Sequence, residues 1–302
     1  MKIKPTIAAP ALVFIIYSAL LLSRAINLDT MLNGTDPYLA AVVVQLLIFI
    51  LPTLFFCTLR GGGYAGKLRL RPFAPRAIPF VIVASVLLIL VSCATKLAVF
   101  SLFGKTLGVD EGVGIYRNYA MGDNSPGPML YLALVFALIP AITEEFTFRG
   151  VILAEYESCG VGAAVFFSAF YFAMLHFDIA LFPVYFAGGL ILALSAYVTR
   201  SVLAPVVIHT ANNLFALFLE EYIWRSIIQP RNVVIFTFLT VLLLLIFMTF
   251  LFGEAGRLYK IYGKAGADSS YALPPEERTG ALEAFVSPLF MMCFVLYIII
   301  VV

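Results

Sequence analysis

Pro140-Ala-Ile-Thr-Glu144-Glu145-Phe-Thr-Phe-Arg149-Gly150 puts two adjacent carboxylates and an arginine inside a run that otherwise reads as membrane helix. An ionised side chain near a bilayer centre costs roughly 2.5–3.5 kcal/mol on insertion scales. Three so close together must be paired, solvated by a cavity, or used. Helical geometry sorts them. Glu145 and Arg149 are four apart, share a face, and have the acid on the N-terminal side, the favoured order. Glu144 is turned about 100° away. It has no partner on its own helix and faces another one. A carboxylate left so in an apolar site can serve as a general base. The competing reading is structural: a buried ion pair beside an acid satisfied at a helix interface.

The rest of the chain fits a membrane setting. It has 302 residues, 63% hydrophobic and 12% charged, with a mean hydropathy of +1.04. Apolar runs cover 7–23, 38–59, 78–103, Pro128 to about 156, 161–176, 184–199, 202–220, 232–252 and 285–302. Runs of this length predict an all-α polytopic membrane protein with about nine transmembrane helices. Its catalytic cavity is expected between the central helix pairs. The expected organisation is N-terminal spans over 1–127, a core over 128–220, and C-terminal spans over 221–302 with a cytosolic linker at 253–280. A polar, turn-rich loop occupies 104–127. The length leaves no room for a separate soluble catalytic domain.

Charge gives an orientation and excludes one partner. With the N-terminus inside, most of the lysines and arginines fall on the inner side, among them Lys2, Lys4 and the Gly-rich loop from Arg60 to Arg76. The positive-inside rule then predicts a cytosolic N-terminus. A net charge of +2 and no basic motif interleaved with aromatics predict no nucleic-acid partner. The first apolar run, too long for a leader, reads as an uncleaved span. Cys57, Cys93, Cys159 and Cys293 are scattered and give no disulfide framework. Cys159 falls in a predicted turn, with no histidine near it in sequence.

The chain has two histidines, His176 and His209, both in apolar segments. A lone histidine in an apolar helix is commonly a core residue bonded to a backbone carbonyl. Depth argues for more here. If the chain turns near Gly160, Glu144 lies as far before the turn as His176 lies after it. In an antiparallel hairpin the two are level. The next pair turns near Arg200-Ser201, which puts His209 about 12 Å into the following helix. Asn213 is one turn further on the same face. Glu144, His176, His209 and Asn213 can therefore converge in a chamber open to the cytosol. Pro140 and Pro205 each precede a key residue by four positions, and each can free a carbonyl and kink its helix.

Glu144-Glu145-x-x-x-Arg149, Phe172-x-x-x-His176 and His209-x-x-x-Asn213 resemble the three signature motifs of the CAAX protease and bacteriocin-processing family. That family includes the type II CAAX prenyl endopeptidases, or Ras-converting enzymes. The resemblance covers about residues 128–220. It implies an intramembrane endopeptidase with a cytosol-facing cavity, but not the substrate; the expectation is cleavage near the end of a membrane-associated or prenylated (CAAX-type) substrate. It further implies Glu144 as the base for a water, His176 as its orienter, and His209 and Asn213 as oxyanion donors. Glu145, Arg149 and Phe172 would stand behind them, with Phe172 packed one turn below His176.

The same atoms allow other readings. Glu144, His176 and His209 could hold zinc, with water in the fourth place. There is no HExxH, and Asn213 suits an oxyanion better than zinc, so the expectation is no cofactor. The competing functions are a non-catalytic scaffold or bacteriocin-immunity protein, and a proton-coupled transporter using the same groups as a relay. The expected partners are the lipid bilayer and a peptide or protein substrate entering from the cytosol or the membrane. The expected location is the plasma membrane of a prokaryote.

Overall fold

A computed structural model describes residues 4–25, 37–61, 64–103, 126–227, 230–264 and 281–301. Among the described residues there are helices and no strand. Helix α1 is Pro5–Ala25. Helix α2 is a jointed rod of Pro37–Gln45, Leu46–Ile50 and Leu51–Arg60. Helix α3 is Ile78–Phe103. Helix α4 is a second jointed rod of Pro126–Ala133, Leu134–Leu138, Ile139–Glu145, Phe146–Ile152 and Leu153–Tyr156. Then come α5 (Val161–Met174), α6 (Phe182–Thr199), α7 (Leu203–Phe218), α8 (Glu220–Ile227), α9 (Pro230–Lys264), α10 (Ala281–Phe285) and α11 (Pro288–Val301).

Each of the expected apolar runs has its helix, and the fold is all-α and polytopic. The count of about nine spans is not reached by length, however. Among the described residues six helices are long and apolar enough to cross a bilayer, or seven if α7 and α8, bent by 57° about Leu219, count as one span. Helices α5 and α11 have 14 residues each, short of the roughly 20 that a span needs. Helix α9 continues to Lys264, so the soluble-looking stretch 253–280 begins as helix. The rest of that stretch, and the loop 104–127 up to 125, lie outside the described residues.

Proline shapes the two rods. In α2 and α4 a π-helical segment, Leu46–Ile50 and Leu134–Leu138, runs up to the residue before Leu51-Pro52 and Ile139-Pro140. Proline has no N–H to give the carbonyl four residues back, and its ring crowds that carbonyl. The ladder shifts to i→i+5 just before it: Leu51 N–H donates to Leu46 O, and Ile139 N–H to Leu134 O. Pro205 behaves differently from the expected kink. It lies in the first turn of α7, where a missing N–H is tolerated. A further π segment, Phe146–Ile152, carries Arg149.

The hairpin of α4 and α5 turns at Glu157–Cys159 and Gly160, whose φ of 98° suits glycine. Phe148 and Phe172, equidistant from Gly160, meet edge to face with centroids 5.5 Å apart. Ser168 Oγ donates to Phe148 O. Tyr156 stacks on Phe167 at 4.5 Å and bonds Tyr171 through the hydroxyls at 3.1 Å. Helix α6 lies close on α5: a Cβ on Gly189 would stand 2.9 Å from Ala169 Cα.

One end of the bundle is tied by charge. Arg60 pairs with Glu155 and Arg69 with Glu157. Val202 N–H donates to Arg69 O, and Ser201 Oγ to Arg71 O. Arg257 donates to Arg76 O. The basic stretch after α2 therefore crosses the ends of α4, α6, α7 and α9.

Candidate active site

Helix α4 presents its two carboxylates to different neighbours. Glu145 is fully buried and faces Arg149, also fully buried. Arg149 Nη1 donates to Glu145 Oε1 at 2.7 Å and Nη2 to Gly189 O at 3.1 Å. Its guanidinium lies 4.5 Å over the Phe172 ring, a cation–π contact of roughly 2 kcal/mol when desolvated. The pair that spacing predicts is present, and Phe172 lies behind it. Oxygen Oε2 of Glu145 and Nε of Arg149 have no hydrogen-bond partner among the described residues.

Glu145 has a second task that spacing does not reveal. Its Oε1 also takes His209 Nδ1 at 2.9 Å. That oxygen is an acceptor, so Nδ1 carries the proton and Nε2 is the free nitrogen. A neutral His209 presents a lone pair at Nε2; a doubly protonated ring presents an N–H.

Glu144 is met from α2. Gln45 Nε2 donates to Glu144 Oε1 at 3.0 Å and to Thr143 Oγ1 at 3.2 Å. Thr143 uses its own proton on Pro140 O. Both partners of the amide are thus acceptors, which fixes its orientation. Gln45 thus holds one carboxylate oxygen of Glu144.

His176 closes α5. Its Nδ1 lies 2.9 Å from Phe172 O. A carbonyl only accepts, so Nδ1 bears the proton and Nε2 is bare in the neutral ring. Tyr185 stacks on the imidazole with centroids 3.6 Å apart. The chain then reverses through Phe177, at φ 49°. Asp178 Oδ1 accepts from Ala180 N and Leu181 N as α6 begins. Asn213 Nδ2 lies 3.5 Å from Ala137 O, in the π segment before Pro140.

A chamber of about 340 Å³ gathers these groups. Glu144, Phe172, His176, His209 and Asn213 line it; Glu145 and Arg149 do not. The helical-face argument thus separates the two carboxylates as the packing does. The far wall holds Lys96 and Glu220, joined at 2.7 and 2.9 Å, with Trp224 Nε1 3.4 Å from Glu220.

The zinc alternative can be tested on the placement of its donors. Both histidines are anchored through Nδ1 and keep Nε2 free, as metal ligands do. Yet among the described residues no three His, Cys, Asp or Glu side chains are gathered to hold one ion.

Sequence reasoning missed Gln45, Tyr185 and the Glu220 partner of Lys96. Lys96 inside an apolar run was a signal that such a partner exists. Gln45 was a weaker one, the polar residue of a long apolar run.

Comparison with known proteins bears on the same segment. Residues 126–215 match the family described as type II CAAX prenyl endopeptidase Rce1-like. These residues belong to the CAAX protease family. The chain is also similar to the membrane-embedded CAAX protease MroQ of Staphylococcus aureus (strain USA300). The two are 23% identical over 199 residues, which is 62% of this chain and 77% of that protein. No solved structure matches the chain significantly. The CAAX protease segment holds α4 to α7, hence all three motifs and most of the chamber. It supports a peptidase embedded in the membrane. Gln45 and Lys96, which bond Glu144 and Glu220, lie outside the segment.

Proposed function

We propose that the chain is an intramembrane endopeptidase that hydrolyses a peptide bond near the end of a membrane-associated substrate. The observation that carries this is the chamber itself. Its lining includes the Glu144 carboxylate, two imidazoles held through Nδ1, and the Asn213 amide.

In this reading Glu144 takes a proton from a water as that water attacks the scissile carbonyl. His176, whose Nε2 carries a lone pair, accepts the second hydrogen of the water and orients it. Asn213 donates to the oxyanion through its amide. His209 can donate there only from the doubly protonated ring, because Nδ1–H is spent on Glu145. Such a donor is worth roughly 3–4 kcal/mol in other hydrolases. The proton on Glu144 then passes to the leaving amine. No metal takes part in these steps.

The proposed catalytic unit is 128–220, with spans 1–127 and 221–302 supporting it. Its proposed setting is the plasma membrane of a prokaryote, with the N-terminus in the cytosol. A prenylated CAAX-type tail is one substrate to try among membrane-anchored peptides. The test is comparative peptidomics of membranes carrying the protein, its Glu144→Gln variant, or neither. Peptides that depend on the protein and vanish with Glu144→Gln support the proposal. Identical peptide sets, with a phenotype retained by the variant, would favour the immunity or scaffold reading.

A further inference from the structure

Helix α3 lays one face along the chamber, through Leu88, Ser92 and Lys96. Two other hydroxyls of that helix are spent on its own backbone. Ser85 Oγ donates to Val81 O at 2.9 Å and Thr95 Oγ1 to Val91 O at 2.8 Å. Bonding the carbonyl four residues back is the usual resort of a hydroxyl in an apolar helix. Ser92 does not take it. Its side chain lines the chamber, is only 8% exposed, and has no hydrogen-bond partner among the described residues.

Helix α7 shows the same contrast. Thr210 Oγ1 donates to Val206 O at 2.7 Å, and Asn213 Nδ2 lies 3.5 Å from Ala137 O. Asn212 is turned about 100° from Asn213. It also lines the chamber and has no hydrogen-bond partner among the described residues. Buried polar groups are nearly always hydrogen-bonded, so two in one cavity that are not point to a ligand with polar groups of its own.

Their spacing says which ligand. Helices α3 and α7 both leave the tied end of the bundle and meet again at Lys96–Glu220. Counting back from that pair at 1.5 Å per residue, Ser92 lies about 6 Å and Asn212 about 12 Å nearer the tied end. The two are therefore about 6 Å apart along the bundle, close to the roughly 6.6 Å between peptide groups that face one way in an extended chain. A hydroxyl and a carboxamide each donate and accept, as a peptide group does. We infer that Ser92 and Asn212 bind the main chain of an extended substrate peptide, at two peptide groups two residues apart. Asn212 adjoins Asn213 and so serves the group nearer the scissile bond; Ser92 serves the one beyond. The site rests on the peptidase reading and deepens it. It lies outside the residues that carry the chemistry, and Ser92 lies outside the family segment altogether.

The experiment uses the full chain and a synthetic peptide spanning the cleavage site that the peptidomic comparison maps. The peptide is made as a series, each member with one main-chain amide replaced by an ester. That change removes the N–H and weakens the carbonyl as an acceptor while keeping every side chain. Wild type, Ser92→Ala, Ser92→Thr and Asn212→Leu are compared for KM, kcat and Tm. With the parent peptide, Ser92→Ala and Asn212→Leu should each raise KM by roughly 3–10-fold with kcat little changed, the mark of lost uniform binding. Wild type should be sensitive to esters at two positions two residues apart. One sensitivity should vanish in Ser92→Ala and return in Ser92→Thr, which keeps the hydroxyl; the other should vanish in Asn212→Leu. Ester effects of the same size in wild type and both variants overturn the inference, as does a loss confined to kcat or to Tm. A wild-type chain that cleaves no peptide removes the peptidase reading and this site with it. Cleavage without coupling between side chain and ester removes the site alone.

Discussion

Gln45 holds Glu144 from a helix that lies outside the family segment, with Nε2 3.0 Å from Oε1. Hydrogen bonds to charged groups contribute roughly 1.5–3 kcal/mol. Gln45→Leu should lower turnover by roughly 10–100-fold if that bond orients the carboxylate. KM should move little, because Gln45 does not line the chamber. Combined with Glu144→Gln, the substitution should cost nothing further in turnover. An equal loss in both backgrounds would show that Gln45 acts only on the fold.

Glu144 and Glu145 should separate cleanly. Glu144→Gln keeps size and hydrogen bonding and should lower turnover by roughly 10²–10⁴ with an unchanged Tm. Glu145→Gln removes the charge that Arg149 and His209 share. Breaking a buried pair from one side costs roughly 3–5 kcal/mol. Poor accumulation or a lowered Tm is therefore expected. Turnover per folded molecule and Tm together decide it. A stable, inactive Glu145→Gln beside an active Glu144→Gln would reverse the assignment.

Metal removal gives an independent check. Purified protein stripped by a chelator should keep its peptidase activity. Loss on stripping, with recovery at one zinc per chain, would recast Glu144, His176 and His209 as ligands.

Gly189→Ala should destabilise. The new Cβ would press on Ala169 Cα at 2.9 Å, and backbone cannot step aside as a side chain can. Overpacking of this kind costs roughly 1–3 kcal/mol. It also displaces Gly189 O from Arg149 and shifts Tyr185, one turn away, from His176. A lowered Tm is expected, along with turnover per folded molecule lower than Gly188→Ala gives, since a Cβ there meets only the movable Leu88 side chain.

What sequence conveys here follows from the range of each contact. Glu145–Arg149 and His176–Phe172 are four apart, and helical spacing suffices for both. The level of Glu144 and His176 follows from one turn glycine, and the Phe148–Phe172 contact has the same symmetry. Pro140 announced irregular backbone, although its form, a π segment ahead of the proline, needed the ladder itself. Long-range bonds were beyond reach. His209 to Glu145, Gln45 to Glu144 and Lys96 to Glu220 each depend on how separate helices rotate against one another. Hydropathy marks an apolar run but not its rotation. It also counted α5 and α11 as full spans, although their helices stop short.

The stretch between α2 and α3 fastens the ends of α4, α6, α7 and α9. Mechanically, the bundle resembles a sheaf bound near its foot. Widening it to admit a peptide leaves the bound end as the pivot, so displacement grows with distance from Ser201. The far part of α3 and the start of α8, where Lys96 and Glu220 meet, would travel furthest. Glu145, Arg149 and His209, nearer the pivot, would keep their spacing while the gap beside them opens.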